Sequence, residues 1–407
     1  MKCRHCKNNL NHTFVNLGYS PPSNHYVDPE LINGTETYFP LIVKVCNSCF
    51  LVQTEDYNKA DDLFTNDYAY FSSTSTSWLS HAKSYCEMIT NHLKLDSSSF
   101  VVEIASNDGY LLQNFKKNNV PCLGIEPTNS TAIVSRDIGI ETIEEFFSVP
   151  LSKKIKGSYG LADLIIGNNV YAHVPDINDF TSAMKLLLKS DGTITLEFPH
   201  LLNLIKHSQF DTIYHEHFSY LSLITVSKIF NNAGLKIYDV EQIKTHGGSL
   251  RIYGCNIDYD KEISINVDRI ISLEKSFGLE DIDTYKNFQV KAFNIKTKFM
   301  QFLLDSKKNK KTVVGYGAAA KGNTLLNYAG IKSDLIEFVC DAARAKQNKL
   351  LPGSRIPIFD PSKIREFKPD YVIIFPWNIK DEVISDHEYI REWGGKFVTF
   401  IPDMVLQ

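Results

Sequence analysis

The densest cluster of reactive side chains in this chain is Tyr214-His215-Glu216-His217-Phe218-Ser219-Tyr220. Two histidines, a glutamate and two tyrosines are costly to bury together unless they act on something. Histidine titrates near neutral pH and a glutamate can orient it, which suits general acid/base chemistry. A metal site is a second reading, but His-Glu-His lacks the His-x-x-x-His spacing that sets two imidazoles on one helix face. A solvated loop with a chance cluster is the third.

The elements upstream determine where such a cluster would lie. Short apolar runs at Phe100 to Ile104, Cys122 to Glu126, Gly139 to Ile143, Ala162 to Ile166 and Thr193 to Phe198 read as strands. The helical stretch Asp176 to Lys189, with Asp176 as N-cap and Gly192 past its end, separates the last two. Strands alternating with helices predict a parallel sheet covered on both faces. The reactive cluster follows the fifth strand, at the carboxyl edge where such sheets bind ligands. Val101-Val102-Glu103-Ile104-Ala105-Ser106-Asn107-Asp108-Gly109-Tyr110-Leu111-Leu112 is a strand, a tight turn and a helix start. Glu126 ends the next strand, where an acid would take the ribose hydroxyls of an adenosine cofactor. The turn lacks Gly-x-Gly-x-x-Gly, which tilts it from nicotinamide toward S-adenosylmethionine. Thr245-His246-Gly247-Gly248-Ser249-Leu250-Arg251 reads as a turn into a strand at Leu250 to Tyr253, expected at an antiparallel edge of the sheet.

Two further units flank this core. Cys3-x-x-Cys6 and Cys46-x-x-Cys49 are paired knuckles, and four thiolates make a closed tetrahedral shell for structural zinc. His5 and His12 are read as surface residues beside them. At the other end, a charged, helix-periodic stretch from Asp258 to Lys308 leads to Thr312-Val313-Val314-Gly315-Tyr316-Gly317-Ala318-Ala319-Ala320-Lys321-Gly322-Asn323. That is a second strand, turn and helix, whose backbone N–H groups could cradle phosphate with help from Lys321; a tight packing turn is the bland reading. Ile336 to Asp341 follows as a strand ending in an acid. An aromatic, hydroxyl-rich stretch, Asp67 to Ser75, precedes a helix expected over Trp78 to Leu95 and reads as a strand end and N-cap, the alternative being phenols that hydrogen-bond a polar ligand in a substrate cleft.

Composition narrows the class. The chain has 407 residues, 43% hydrophobic and 22% charged, which predicts two or three soluble domains. A net charge of -4 argues against a nucleic-acid partner. The start lacks the apolar core of a signal peptide and no run is long enough to span a membrane. The expectation is a cytoplasmic protein, taken as a monomer, whose eight cysteines serve as thiols or metal ligands.

Together these pieces resemble the sugar C-methyltransferase family, which acts on nucleotide-linked 4-keto-deoxysugars. The likeness rests on the paired knuckles, Val102 to Leu112, Gly124-Ile125-Glu126-Pro127, Asn168-Asn169-Val170-Tyr171-Ala172-His173-Val174, Tyr214 to His217, His246 to Arg251, and Tyr316 to Asn323. It covers nearly the whole chain. It implies a zinc domain at 1–65, a class I methyltransferase domain of Rossmann-like α/β fold at 66–257, a helical connector at 258–310 and a Rossmann-like substrate domain at 311–407. It implies His217 as general base, with Tyr214, Glu216, His173 and Tyr68 beside it. Cofactor contacts would come from Glu103, Ala105, Asn107, Gly109, Glu126, Pro127, Asn168 and Asn169. The sugar nucleotide would meet Tyr316, Lys321 and Asn323, and Cys3, Cys6, Cys46 and Cys49 would hold zinc. The chain departs from the family at Ala105, where glycine is usual, and in the loop after Asp341. The implied reaction is C-methylation at C3, by way of an enediolate formed next to a 4-ketone. A nicotinamide-dependent sugar-nucleotide oxidoreductase and a non-catalytic zinc-containing binding protein are the alternatives.

Overall fold

The computed structural model describes residues 1–57 and 71–407; Tyr68 lies outside the described residues. Near the N-terminus, β1 (His12–Ser20), β2 (Phe39–Val45) and β3 (Val52–Thr54) form an antiparallel meander.

The central sheet uses β4 (Val101–Ile104), β5 (Cys122–Ile125), β6 (Thr142–Ile143), β7 (Ala162–Asn168) and β8 (Leu188–Pro199), all parallel. A two-residue strand, β9 (Ser219–Tyr220), then leaves this sheet and adds itself to β3 of the N-terminal meander. The chain returns through β10 (Leu235–Ile243) and β11 (Ser249–Asn256). The resulting order is β6-β5-β4-β7-β8-β11-β10. Only β11 runs antiparallel to its neighbours, which is the topology of a class I methyltransferase domain.

The segment expected at the sheet edge is therefore an interior strand. β10 hairpins onto β11 and takes the edge itself, so every residue of β11 is buried. Helix starts follow their capping residues: Ser75 accepts from Trp78 N at 3.3 Å, and Asp176 accepts from Asn178 N and Asp179 N.

The C-terminal sheet has β12 (Val313–Tyr316), β13 (Val339–Cys340), β14 (Ile358–Phe359), β15 (Tyr371–Ile374) and β16 (Lys396–Thr399) in parallel. Its order is β14-β13-β12-β15-β16, with antiparallel β17 (Val405–Leu406) at the far edge. This is a second, Rossmann-like α/β unit.

The helical stretch between the two sheets does more than connect them. On helix Phe288–Lys308, Phe288 stacks on Phe14 of β1 at 4.3 Å and Phe299 meets Phe400 at 4.7 Å. One helix thus buries its apolar face against the N-terminal and C-terminal units together, in one continuous core. Helix Ile265–Phe277 reaches back to the central domain through Glu274. That buried carboxylate accepts from Leu223 N at 2.6 Å, Ile224 N at 2.8 Å and His200 Nε2 at 2.7 Å. It therefore caps the start of helix Leu223–Asn232, where the aligned peptide dipoles favour a negative charge. Among the described residues no helix is long and apolar enough to cross a membrane.

Removing the Glu274 carboxylate strands two backbone donors and an imidazole in a dry interior. Glu274→Ala is expected to cost about 3 kcal/mol and lower the unfolding midpoint by several degrees. A thermal melt within one degree of the wild type would show that the carboxylate anchors nothing.

Candidate active site

Residues 209–220 cross the carboxyl edge of the central sheet as irregular chain, and most of them are buried. Buried backbone without regular structure needs partners for its carbonyls. Here they come from three directions. Ile213 C=O accepts from Thr324 Oγ1 of the C-terminal unit at 2.8 Å. Phe218 C=O accepts from Thr54 N of the N-terminal meander at 3.2 Å, and Thr54 Oγ1 lies 3.3 Å from His217 C=O. Thr212 C=O accepts from His217 Nδ1 at 2.8 Å, within the loop itself.

That last bond sets the state of His217. A carbonyl can only accept, so Nδ1 carries the proton and Nε2 presents its lone pair. Tyr214 Oη donates to that lone pair at 2.7 Å. Burial, and then the neighbouring His173, drive the imidazole pKa well below its usual value. A neutral ring with a fixed lone pair is what a general base requires.

The orienting group expected from sequence was the adjacent carboxylate, and the structure corrects this. Glu216 Oε1 accepts instead from Asn24 Nδ2 at 3.1 Å, and burial raises this carboxyl to about 7. The backbone walks Glu216 and His217 to opposite sides of the loop. The ring of His173 stands edge-on to His217, centroids 4.5 Å apart, and burial lowers it to about 4.

The opposite wall comes from the C-terminal unit. Lys321 lies 4.4 Å over the ring of Trp377, donates to Asn378 Oδ1 at 2.7 Å and depresses the pKa of both His217 and His246. Burial lowers Lys321 itself to about 8. Trp377 Nε1 donates to buried Asp211 at 2.7 Å, which ties this wall to the loop. Asn323 Nδ2 donates to Ser23 C=O at 2.7 Å, and its Oδ1 is buried with no partner among the described residues. Tyr316 also stands apart, packed on His387 at 4.7 Å on the sheet face opposite helix Ala320–Ala329.

The end at the turn after β4 is built by backbone that leaves the helical and extended regions repeatedly. Ala105, Asn107 and Gly109 have φ of 57°, 50° and 76°. A Cβ on Gly109 would sit 2.9 Å from Ser135 Oγ, so that position has no room for a side chain. Glu126 accepts from Asn107 N at 3.0 Å and Thr128 N at 2.9 Å. Ser72 N and Ser73 N donate to Asn107 Oδ1 and Asp108 Oδ2 and so lie across the turn. Pro127 follows Glu126 directly. Several buried polar atoms around this end have no partner among the described residues: Glu103 Oε2, Ser106 Oγ, Asp108 Oδ1 and the amides of Asn168 and Asn169. Burial, with Asp108 and Glu126 near, pushes the Glu103 carboxyl well up. Orphaned donors and acceptors at a strand–turn–helix edge fit a polar ligand such as adenosylmethionine.

The four knuckle cysteines converge, with all sulfurs within 4.8 Å of one another. Four thiols at that spacing fit a tetrahedral zinc shell with no open position. Between the first pair, Arg4 donates to Pro175 C=O at 2.8 Å and His5 contacts Asn178 at 2.8 Å and Asn232 at 3.2 Å. His5 is therefore buried at a domain junction rather than exposed.

A buried ion pair joins two strands of the central sheet. Arg251 on β11 pairs across the strands with Glu197 on β8, Nη2 to Oε1 at 2.6 Å, and His81 Nε2 reaches the same carboxylate at 2.9 Å. The signal for Arg251 lay in the Gly-Gly-Ser-Leu-Arg run, but its partner follows from a register that sequence does not display.

Three family descriptions match along the chain in order. They are a candidate zinc binding domain at 3–64, a methyltransferase domain at 78–240 and a C-methyltransferase C-terminal domain at 244–402. The C-methyltransferase NovU of Streptomyces niveus is 34% identical over 402 residues, covering 99% of this chain and 96% of its own length. Solved structures match over smaller parts. A methyltransferase from Anabaena variabilis aligns at 11% identity and TM-score 0.37, over 49% of this chain and 96% of its own. The magnesium protoporphyrin IX methyltransferase of Synechocystis aligns at 12% and 0.33, over 43% and 79%. The oxidoreductase and binding-protein alternatives give way to the end-to-end relative. By that full-length match, the chain belongs to the family of S-adenosylmethionine-dependent C-methyltransferases.

Proposed function

We propose that this enzyme methylates C3 of a nucleotide-linked 4-keto-deoxysugar, with His217 as general base. The observation that carries this reading is the His217 tautomer: Nδ1–H is committed to Thr212 C=O, so the lone pair that can take a proton is on Nε2, where it now accepts from Tyr214 Oη. A ketone acidifies the hydrogen on the neighbouring carbon. A neutral imidazole would remove it to leave an enediolate, and the Tyr214 hydroxyl, released once Nε2 takes that proton, would donate to the oxygen beside it. Bound S-adenosylmethionine supplies an electrophilic methyl group on a positively charged sulfur. Glu126 would hold its ribose through lone pairs left over from Asn107 N and Thr128 N. Glu103, Asn168 and Asn169 offer the unpaired atoms that would complete that site. Lys321 beneath Trp377 offers a cation to the diphosphate of the sugar nucleotide. Zinc in the cage of Cys3, Cys6, Cys46 and Cys49 would be structural, holding the Arg4 and His5 contacts that brace the loop before the active site.

His217→Ala is expected to abolish methyl transfer while leaving the Kd for S-adenosylmethionine unchanged in calorimetry. Full turnover in that variant would reassign the base. The pH dependence carries its own sign. His217 works when neutral, so the acid limb of kcat/KM should fall below pH 6.5, the side to which its pKa is shifted. Lys321 works when charged, so KM for the sugar nucleotide should climb as pH rises through about 8. An acid limb above 6.5 would contradict the first assignment. Cys3→Ser is expected to lower bound zinc from one atom per chain toward none, read by atomic absorption. Unchanged zinc content would exclude the four-cysteine shell.

A further inference from the structure

We propose that His246 is a further catalytic residue, whose Nε2 donates a hydrogen bond to the acceptor's ketone oxygen as His217 removes the neighbouring proton. This role rests on the reaction proposed above.

Four observations converge on it. The imidazole Nε2 of His246 is buried and has no partner among the described residues. Its backbone is held at φ 53°, ψ 27°, a left-handed conformation that β-carbon-bearing residues adopt at a cost in energy. The strain is enforced by close packing on its C-terminal side. A Cβ on Gly247 would lie 2.3 Å from Trp377 Cη2, and one on Gly248 would lie 2.4 Å from Asn203 Nδ2. Gln209 Nε2 and Asn203 Nδ2 also donate to the two glycine carbonyls, at 2.9 and 3.3 Å. The loop is thus clamped between the central domain and Trp377, and the clamp fixes where the His246 ring points.

The surroundings define its chemistry. The ring stands 5.3 Å from that of Trp78, tilted 65° to it. It lies within electrostatic reach of His173, His217 and Lys321, and of His81 and Glu197. Burial and the charge of Lys321 lower His246 to about 4, so the ring is neutral. A neutral imidazole has one N–H to give and no proton to lose to a weak base. Beside a lysine cation, it suits an oxygen that gains negative charge.

The step balances within the acceptor and the two histidines. The C–H bond beside the ketone breaks and its proton goes to His217 Nε2. The released pair forms the carbon–carbon double bond. The carbonyl π pair moves onto oxygen, where His246 Nε2–H meets it. No methyl donor is needed for this half-reaction, so it can be followed alone.

The test is proton exchange in D2O, without S-adenosylmethionine, on a panel of thymidine- and uridine-diphosphate 4-keto-deoxyhexoses. Deuterium is read by NMR at the carbon next to the ketone. Two variants separate the donor from the strain: His246→Gly takes the left-handed backbone freely, and His246→Asn tolerates it and keeps an N–H donor. His246→Gly should slow exchange roughly 100-fold, with the Kd for S-adenosylmethionine held within about threefold. His246→Asn should recover part of the lost rate. Exchange at the wild-type rate in His246→Gly would overturn the role. So would intact exchange with a Kd weakened more than tenfold, which would move His246 to the cofactor site. A wild-type enzyme that exchanges no proton with any acceptor would overturn the underlying reaction, and this role with it.

Discussion

The requirement that every buried carbonyl find a donor governs this molecule more than any single side chain does. Residues 209–220 are buried without being helix or strand for most of their length. Their carbonyls are met by Thr324 from the C-terminal unit, by Thr54 from the N-terminal meander and by His217 itself. Each partner satisfies one group and fixes one direction of the loop. Loss of any one leaves a desolvated acceptor in the interior, at about 1–3 kcal/mol. The three units are therefore joined at this loop, and His217 inherits its orientation from the backbone.

The same economy recurs around the cleft. Glu274 serves two backbone donors and one imidazole with a single carboxylate. Glu197 gathers Arg251 and His81 at the foot of β8. Asp211 holds Trp377 and thereby the wall that carries Lys321. Each arrangement pairs a buried charge with donors from a different element. Charge is thus kept inside without being left uncompensated. The imidazoles differ: burial lowers His173, and burial together with neighbouring imidazoles and Lys321 lowers His217 and His246.

Much of the scaffold was legible in the residue pattern. Runs such as Val101 to Ile104 and Ala162 to Ile166 are apolar throughout because parallel strands are covered on both faces. The knuckle spacing declared the thiol cage. β10 was not legible: a bulge between Ile237 and Asp239 breaks the alternation that would mark it, and without β10 the strand β11 looks like an edge. The site was legible in residue type and not in wiring. His217 stands out by composition, but its orienting group is a main-chain carbonyl, which every residue possesses. Glu216 was the obvious partner by adjacency, and the loop turns it toward Asn24 instead. The Arg251–Glu197 pair depends on strand register, and Tyr316 faces His387 because alternation along β12 sends it to the far face of its sheet.

The short strand β9 has a consequence for how the chain comes to be made. Gln53 of β3 pairs with Ser219 of β9, 166 positions further along the chain. On a ribosome adding roughly 5–20 residues per second, the N-terminal sheet waits on the order of ten to thirty seconds for its last strand. Until then the outer edge of β3 is open, with three residues that end up wholly buried. The N-terminal sheet is therefore begun well before the central sheet and is closed only after β8 of that sheet has been made. Its completion coincides with the arrival of the segment that carries His217.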